Sequence, residues 1–265
     1  MTLGRLGRMA YINTLPVDWG LVNGALRRSV SVYRGAPTTL NRLLAEGSVD
    51  VSPVSSVAAA EHAAEWLVFD NLCIGSRGEV GSVILDSRVP IEELEGRSIA
   101  VTTDSATAAQ LLRILLARHW KIKAKLIEKD PKATARLLIG DPALKAAQSG
   151  PSGFIYDLGQ CWREYTGRDF VFGLWCVRRA FAEEHPRETQ DLYRLLRTSR
   201  GRGLAESSQV VAEAARVTGL TETQIESYFD KLVFDLDDEL WSGLEHFLAL
   251  LGYDPGLLQR YREGE

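Results

Sequence analysis

Short β-branched apolar runs recur along the first two thirds of the chain, each followed by a small polar turn and then by a stretch whose apolar residues fall at helical spacing. Residues 8–13 (RMAYIN) read as a first strand, with Asn13 and Thr14 in the loop before a helix that begins near Pro16, where a fixed φ suits the first turn. Residues 29–33 (SVSVY) alternate as a second strand, and 36–46 (APTTLNRLLAE) read as a helix closed by Gly47. A third strand covers 49–53 and the next helix 55–64. Strands alternating with helices of about ten residues call for βαβ units and a parallel sheet.

Between 66 and 85 the texture changes. The runs WLVF, LCIG and GSVIL are separated by Asn71 and by Ser76-Arg77-Gly78, with no room for a helix, so a strand pair leading to a crossover near 86–90 is predicted. A second α/β set follows, with helices at 91–94, 106–120, 132–137, 142–148 and 158–165. Its strands are 97–101, 123–127, a short one ending at Gly140-Asp141, 153–156, and a long last one at 169–177. Beyond 179 only helices are predicted: 180–184, 186–203, 205–218, 221–229 and 237–250. Thr221-Glu222-Thr223-Gln224 forms a capping box there, and Gly203, Gly219 and Gly252 are stops. A helical tail with no sheet of its own is expected to pack back on the first lobe. The fold class is therefore α/β with two lobes, 1–86 plus 179–265 and 87–178, and a ligand cleft between them that closes by hinge motion.

Composition narrows the possible partners. The 265 residues are 45% hydrophobic, enough for two real cores, and 31 basic against 35 acidic residues are dispersed without a basic patch, which argues against nucleic acid. Cys73, Cys161 and Cys176 are far apart and form no C-x-x-C pair, so they read as small buried hydrophobes. No apolar run approaches the ~18 residues of a membrane span, and the first residues lack the ~7–15-residue apolar core of a signal peptide. A soluble, cytoplasmic protein with no membrane partner is the expectation.

Candidate chemistry lies at the carboxyl ends of the predicted strands, where open α/β sheets bind ligands. In the stretch SIAVTTDSATAAQLL (98–112) a strand ends in Thr102, Thr103, Ser105 and Thr107, and a helix starts at once; VDVSPVSSVAAA (49–60) repeats this grammar with Ser55 and Ser56. A helix N-terminus leaves backbone N–H groups without intrahelical partners and carries partial positive charge, so hydroxyls beside it make a place for a carboxylate or phosphate. Taken alone, each hydroxyl is better explained as an N-cap or turn residue, and it is the repetition of the pattern that favours an anion site. Asn13, Thr14, Ser82, Gly140, Asp141 and Asp157 occupy further loops of this kind. The histidines (His62, His119, His185, His246) are scattered, which offers neither a metal site nor a catalytic triad, and no glycine-rich nucleotide motif occurs. No cofactor is expected, and catalysis would rest on orientation and electrostatics.

The motifs YINTLP (11–16), LNRLLAEGSVD (40–50), PVSS (53–56), SRGEVGSV (76–83), IGDPAL (139–144), DLGQCW (157–162) and VFGLW (171–175), in this order and spacing, resemble the chorismate dehydratases of the futalosine route to menaquinone. The likeness runs from about residue 6 to 178 and is weaker in the tail. It implies a fold like the type II periplasmic binding proteins, used by a cytoplasmic enzyme that removes water from chorismate, a small dicarboxylate, to give 3-[(1-carboxyvinyl)oxy]benzoate without a cofactor. On this resemblance Asn13 and Thr14 lie beside the reacting ring. Ser55-Ser56 and Ser105-Ala106-Thr107 hold the two carboxylates, and Ser82 and Thr103 complete the pocket. Asp157 and Asp141 compete with a carboxylate of the substrate for the role of base. Two other readings stand beside it: the dihydroxynaphthoate synthase of the same pathway, and a non-catalytic solute-binding protein for a small carboxylate.

Overall fold

The structure, a computed structural model, describes residues 3–24, 26, 30–102, 105–148, 153–254 and 256–263. Strand β1 (Arg5–Met9) leads through a single 3-10 turn at Ile12–Thr14 into α1 (Leu15–Val22). Then come β2 (Ser31–Gly35), α2 (Pro37–Ala45), β3 (Val51–Ser55), α3 (Ser56–Glu61) and β4 (Trp66–Ser76). The middle of the chain holds β5 (Val83–Ser87), β6 (Ser98–Val101), α4 (Ala106–Ile114), β7 (Lys125–Glu128), β8 (Ala135–Ile139), α5 (Asp141–Gln148), β9 (Phe154–Asp157) and α6 (Leu158–Thr166). Strand β10 (Phe170–Arg178) is followed by α7 (Arg179–Glu184), α8 (Pro186–Ala205), α9 (Ser207–Thr218) and α10 (Glu222–Phe229). The chain finishes with β11 (Leu232–Val233), α11 (Asp238–Leu250) and β12 (Arg260–Tyr261).

Two sheets organise these elements. The first has the order β11-β4-β10-β3-β1-β2, with β12 beside β4, and the second β7-β6-β8-β5-β9. In the first, β1 runs parallel to β2 and β3, while β10 is antiparallel to both β3 and β4. In the second, β6 runs parallel to β7 and β8, and β5 antiparallel to β8 and β9. Each sheet thus has a parallel part carrying βα loops and an antiparallel strand through which the chain passes to or from the other lobe.

Several expectations are corrected. The long strand at 169–177 does not close the second lobe: β10 inserts between β3 and β4, where its almost wholly buried FVFGLWCV run suits a strand covered on both faces. The crossovers fall between β4 and β5 and between α6 and β10, so β5 belongs to the second sheet and the boundaries expected at 86 and 178 shift toward the N-terminus. Residues 66–76 form one bent strand, with Asn71 at φ 59 and shifts of register against β10, in place of separate runs. The first strand lies at Arg5–Met9, because the turn carrying Asn13 begins earlier than expected. The helix expected at 132–137 is replaced by β8, whose residues alternate between buried and outer positions and pair with both β5 and β6. The helix expected to run to 120 is α-helical to Ile114 and continues as a wider π turn at Leu115–His119. Ser29, at the start of an expected strand, lies outside the described residues.

The tail is mostly helical, yet β11 and β12 extend the first sheet along β4. Its longest helix, α8, lies against α1: Ser199 Oγ accepts from the Gly20 N–H at 2.9 Å, and Gly203 passes so close that a Cβ there would sit 1.9 Å from the Pro16 carbonyl oxygen. Trp66, Trp175, Phe170 and Phe247 are deeply buried, with Phe247 of α11 edge-on against Phe170 of β10, and the three cysteines are buried free thiols. Among the described residues no helix is long and apolar enough to cross a membrane.

Candidate active site

Four loops at strand ends converge where the lobes meet and enclose a cleft of about 620 Å³, mouth included. Asn13 enters from the 3-10 turn after β1, Ser55 from the end of β3, Ser105 from the start of α4, and Ser82 from the crossover between β4 and β5. Met9, Ile74, Val80, Ile139 and Phe172 supply apolar wall, and the ring of Tyr11 packs over Gly140 of the other lobe. Among the described residues the lining contains no carboxylate, imidazole, ammonium or guanidinium.

The serines that open the two helices are N-caps. Ser55 Oγ accepts from the Ala58 N–H at 3.3 Å, and Ser105 Oγ from the Ala108 N–H at 3.2 Å. The two helix starts differ in what remains for a ligand. At α3 the Val57 N–H is already donated to Thr107 Oγ1 of the other lobe, so two of its early N–H groups are used. At α4 the N–H groups of Ala106 and Thr107 lie outside the helix's own ladder, and the helix is the longer of the two.

Asn13 owes its place to what lies beneath it. The turn is anchored by α1, seven of whose eight residues are buried. Thr14 Oγ1 donates to Asp18 Oδ2 at 2.7 Å, and Arg8 Nε lies 3.5 Å from the same oxygen. Burial pushes the Asp18 carboxyl up to about 6 despite Arg8 and Thr14, which pull it down. Asn13 Oδ1 is buried and has no hydrogen-bond partner among the described residues, an unfilled acceptor behind the cleft wall.

The remaining site residues singled out from sequence, where described, fall outside the lining. Thr14 faces Asp18 under the turn. Ser56 Oγ donates to the Val171 carbonyl at 2.6 Å and ties α3 to β10. Thr107 clasps Val57, and Ala106 is exposed. Asp157 caps α6 through the Gln160 N–H and also accepts from the N–H groups of Val80 and Gly81, so it holds the crossover that carries Ser82. Asp141 accepts from the Ile12 N–H at 3.3 Å. Burial raises both carboxyls above their ordinary range, and neither lines the cleft. Thr103 lies outside the described residues. Among the described residues no group of His, Cys, Asp and Glu could hold a metal ion.

The sequence reading missed Tyr11, Met9, Ile74 and Phe172 as cleft walls. Their side chains carry no chemical signature, and only the insertion of β10 beside β4 brings Phe172 and Ile74 to the same wall.

Comparison with known proteins gives the arrangement a context. Residues 4–253 match a family described as menaquinone biosynthesis. A chorismate dehydratase of Thermus thermophilus is 29% identical over 267 residues, covering 93% of this chain and 94% of its own. Among solved structures, the alkanesulfonate-binding protein SsuA of Xanthomonas axonopodis pv. citri, bound to MOPS, superposes with a TM-score of 0.70 at 17% identity, covering 97% of this chain and 94% of that one. A Candida albicans gene product with the generic periplasmic binding protein fold superposes with a TM-score of 0.66 at 10% identity, over 100% of this chain and 99% of that one. The two-lobed fold is thus that of the periplasmic binding proteins.

Proposed function

The chain belongs to the menaquinone biosynthesis family, and we propose that it is a chorismate dehydratase, a hydro-lyase that converts chorismate into 3-[(1-carboxyvinyl)oxy]benzoate and water in the cytoplasm. The observation that carries this reading is the cleft lining: neutral hydroxyl and amide groups on an apolar wall, with no ionisable acid or base among the described residues other than the phenol of Tyr11. Such a site suits a reaction whose driving force lies in the substrate. Chorismate already holds a cyclohexadiene, and loss of one ring proton and the neighbouring hydroxyl makes the ring aromatic. The proton leaves the carbon that bears the enolpyruvyl ether, its electron pair enters the ring, and the hydroxyl departs as water once the abstracted proton has been passed to it from the acceptor.

The protein then has three tasks: to hold one conformer, to balance two negative charges, and to keep water out. Ser105 and the first N–H groups of α4 receive one carboxylate, where the helix dipole favours negative charge. Ser55 and Ser82 take the oxygens on the other side of the cleft. Asn13 lies beside the reacting ring and hydrogen-bonds the departing hydroxyl. The proton acceptor is a carboxylate of chorismate itself, because the carboxyls of Asp141 and Asp157 are committed to backbone N–H groups outside the lining. Thr14 serves indirectly, by fixing the turn on Asp18.

The test is to mix the protein with a large molar excess of chorismate and follow its ultraviolet spectrum, with mass analysis of the product. Conversion of many equivalents supports the enzyme. A spectral change that stops at one equivalent of protein would leave a binding protein in its place.

A further inference from the structure

We propose that Tyr228, on tail helix α10, aims the hydroxyl of Ser82 into the cleft and so is a positioning residue for the ligand contact that Ser82 makes. The inference rests on the dehydratase reading and deepens it, since it assigns to the tail a part in substrate recognition.

Tyr228 is almost wholly buried, and its phenol oxygen lies 3.1 Å from Ser82 Oγ. A buried phenol must place its proton on an acceptor. The serine oxygen fills that role, because a phenol is the more acidic of the two hydroxyls and the aliphatic oxygen the better acceptor. With one lone pair of Ser82 occupied by Tyr228, its own proton has to point elsewhere. The backbone around it is already satisfied: the Ser82 carbonyl accepts from the Gly140 N–H at 2.8 Å, and Val80 and Gly81 donate to Asp157. The direction left open is the cleft, which Ser82 lines. Ser82 is thereby set as a donor, suited to an oxygen that only accepts, such as a carboxylate or an ether, and unsuited to a ligand N–H.

The end of α10 and the residues just after it grip the crossover at more than this point. Lys231 Nζ lies 2.6 Å from Glu79 Oε1, and a Cβ built on Gly81 would be 3.5 Å from the Tyr228 ring. The crossover segment 79–82 is therefore held by the tail on one side and by Asp157 of the second lobe on the other. Burial also raises the Tyr228 phenol far above its ordinary range, which keeps it a donor at any working pH.

Tyr228→Phe removes the hydroxyl and keeps the ring. Loss of one aimed hydrogen bond is expected to raise KM for chorismate about three- to tenfold, with a smaller effect on kcat. In a Ser82→Ala background the same change is expected to leave KM where Ser82→Ala put it. An unchanged KM in the single variant, or an equal rise in both backgrounds, would overturn the proposal, the latter because it would mark a packing effect. A crystal structure of Tyr228→Phe gives a readout independent of turnover, with Ser82 expected to change rotamer. If the wild-type protein leaves chorismate intact, the dehydratase reading fails, and the rotamer alone then decides the positioning role: Ser82 Oγ unmoved overturns it.

Discussion

The backbone N–H of Val57 donates to Thr107 Oγ1 at 3.0 Å, which joins the first turn of α3 in one lobe to the first turn of α4 in the other. A helix leaves its first N–H groups without partners, and here the opposite lobe supplies one. The bond exists only while the lobes are together, so it favours the closed arrangement. Thr107→Val keeps the shape of the side chain and strips the acceptor. A buried N–H without a partner costs ~1–3 kcal/mol, and part of that cost falls on closure. The ligand-free variant is expected to show a larger radius of gyration in small-angle X-ray scattering and a raised KM. Values equal to wild type in both would mean that the bond contributes nothing to closure.

Asn13 and Ser105 stand on opposite lobes and both line the cleft, so each tests the site independently. Asn13→Ala removes the unpartnered acceptor and Ser105→Ala removes an N-cap together with a ligand donor. At ~1–3 kcal/mol for a buried polar group deprived of its partner, each is expected to lower kcat/KM for chorismate by roughly 5- to 150-fold. The Asn13 variant should lose mainly kcat and the Ser105 variant mainly KM. Wild-type kcat/KM in both would show that the site lies elsewhere.

The alternation of strands and helices, the two lobes and the serine-capped helix starts were all legible because they depend on residues close in sequence. Sheet membership was not. The run KATARLLIG contains good helix formers, yet residues 135–139 form β8 because neighbours on both edges satisfy its backbone. The string FVFGLWCV reads as a buried strand at sight, but nothing local says that it inserts into the first sheet. The site divides in the same way. That Ser56 and Thr107 bear hydroxyls is plain from sequence. Whether those hydroxyls face a ligand or a neighbouring backbone is decided by Val171 and Val57, more than a hundred and about fifty residues away respectively. Tyr228 gave no signal, because its partner Ser82 lies 146 residues earlier.

Asp18 makes stability depend on pH in an unusual direction. Its carboxyl is raised to about 6 in the folded protein, so the folded state holds the proton more tightly than the unfolded chain does. Its contribution is therefore greatest below the ordinary carboxylate range and is lost as pH rises toward 6, by roughly 3 kcal/mol at ~1.4 kcal/mol per pKa unit. Asp18→Asn cannot titrate, and other groups cancel in the difference between the two proteins. Denaturant unfolding of both at several values from pH 4 to 7 should show wild type losing ground to the variant up to about pH 6 and level above it. Parallel profiles would contradict the raised value.

Gly203 on α8 packs against the backbone of Pro16, with no room for a side chain. Gly203→Ala would force α8 away from α1, the helix that seats the Asn13 turn. Overpacking of this kind costs ~1–3 kcal/mol or more. A lower Tm is expected, with kcat/KM reduced as well because the turn moves, whereas Gly201→Ala on the same helix, where added volume meets open space, should leave both unchanged.

Gly140 lies under the ring of Tyr11, at φ +60, and a Cβ there would stand 2.9 Å from Cγ and Cδ1 of that ring. Gly140→Ala therefore carries two penalties that can be separated. The left-handed backbone costs an L residue about 1–2 kcal/mol whatever surrounds it, and this falls on stability. The clash involves the root of a ring attached to the other lobe, which cannot swing aside as a flexible chain end would, so it falls on closure. Gly140→Ala is expected to lower Tm modestly and to raise KM for chorismate. Adding Tyr11→Ala removes the clash and leaves the backbone strain. Relative to Tyr11→Ala alone, the double variant should keep the Tm deficit while the added KM effect disappears. An added KM effect that survives without the ring would mean that Gly140 matters for the shape of its own loop, and that the close approach of Tyr11 does not limit how tightly the lobes shut.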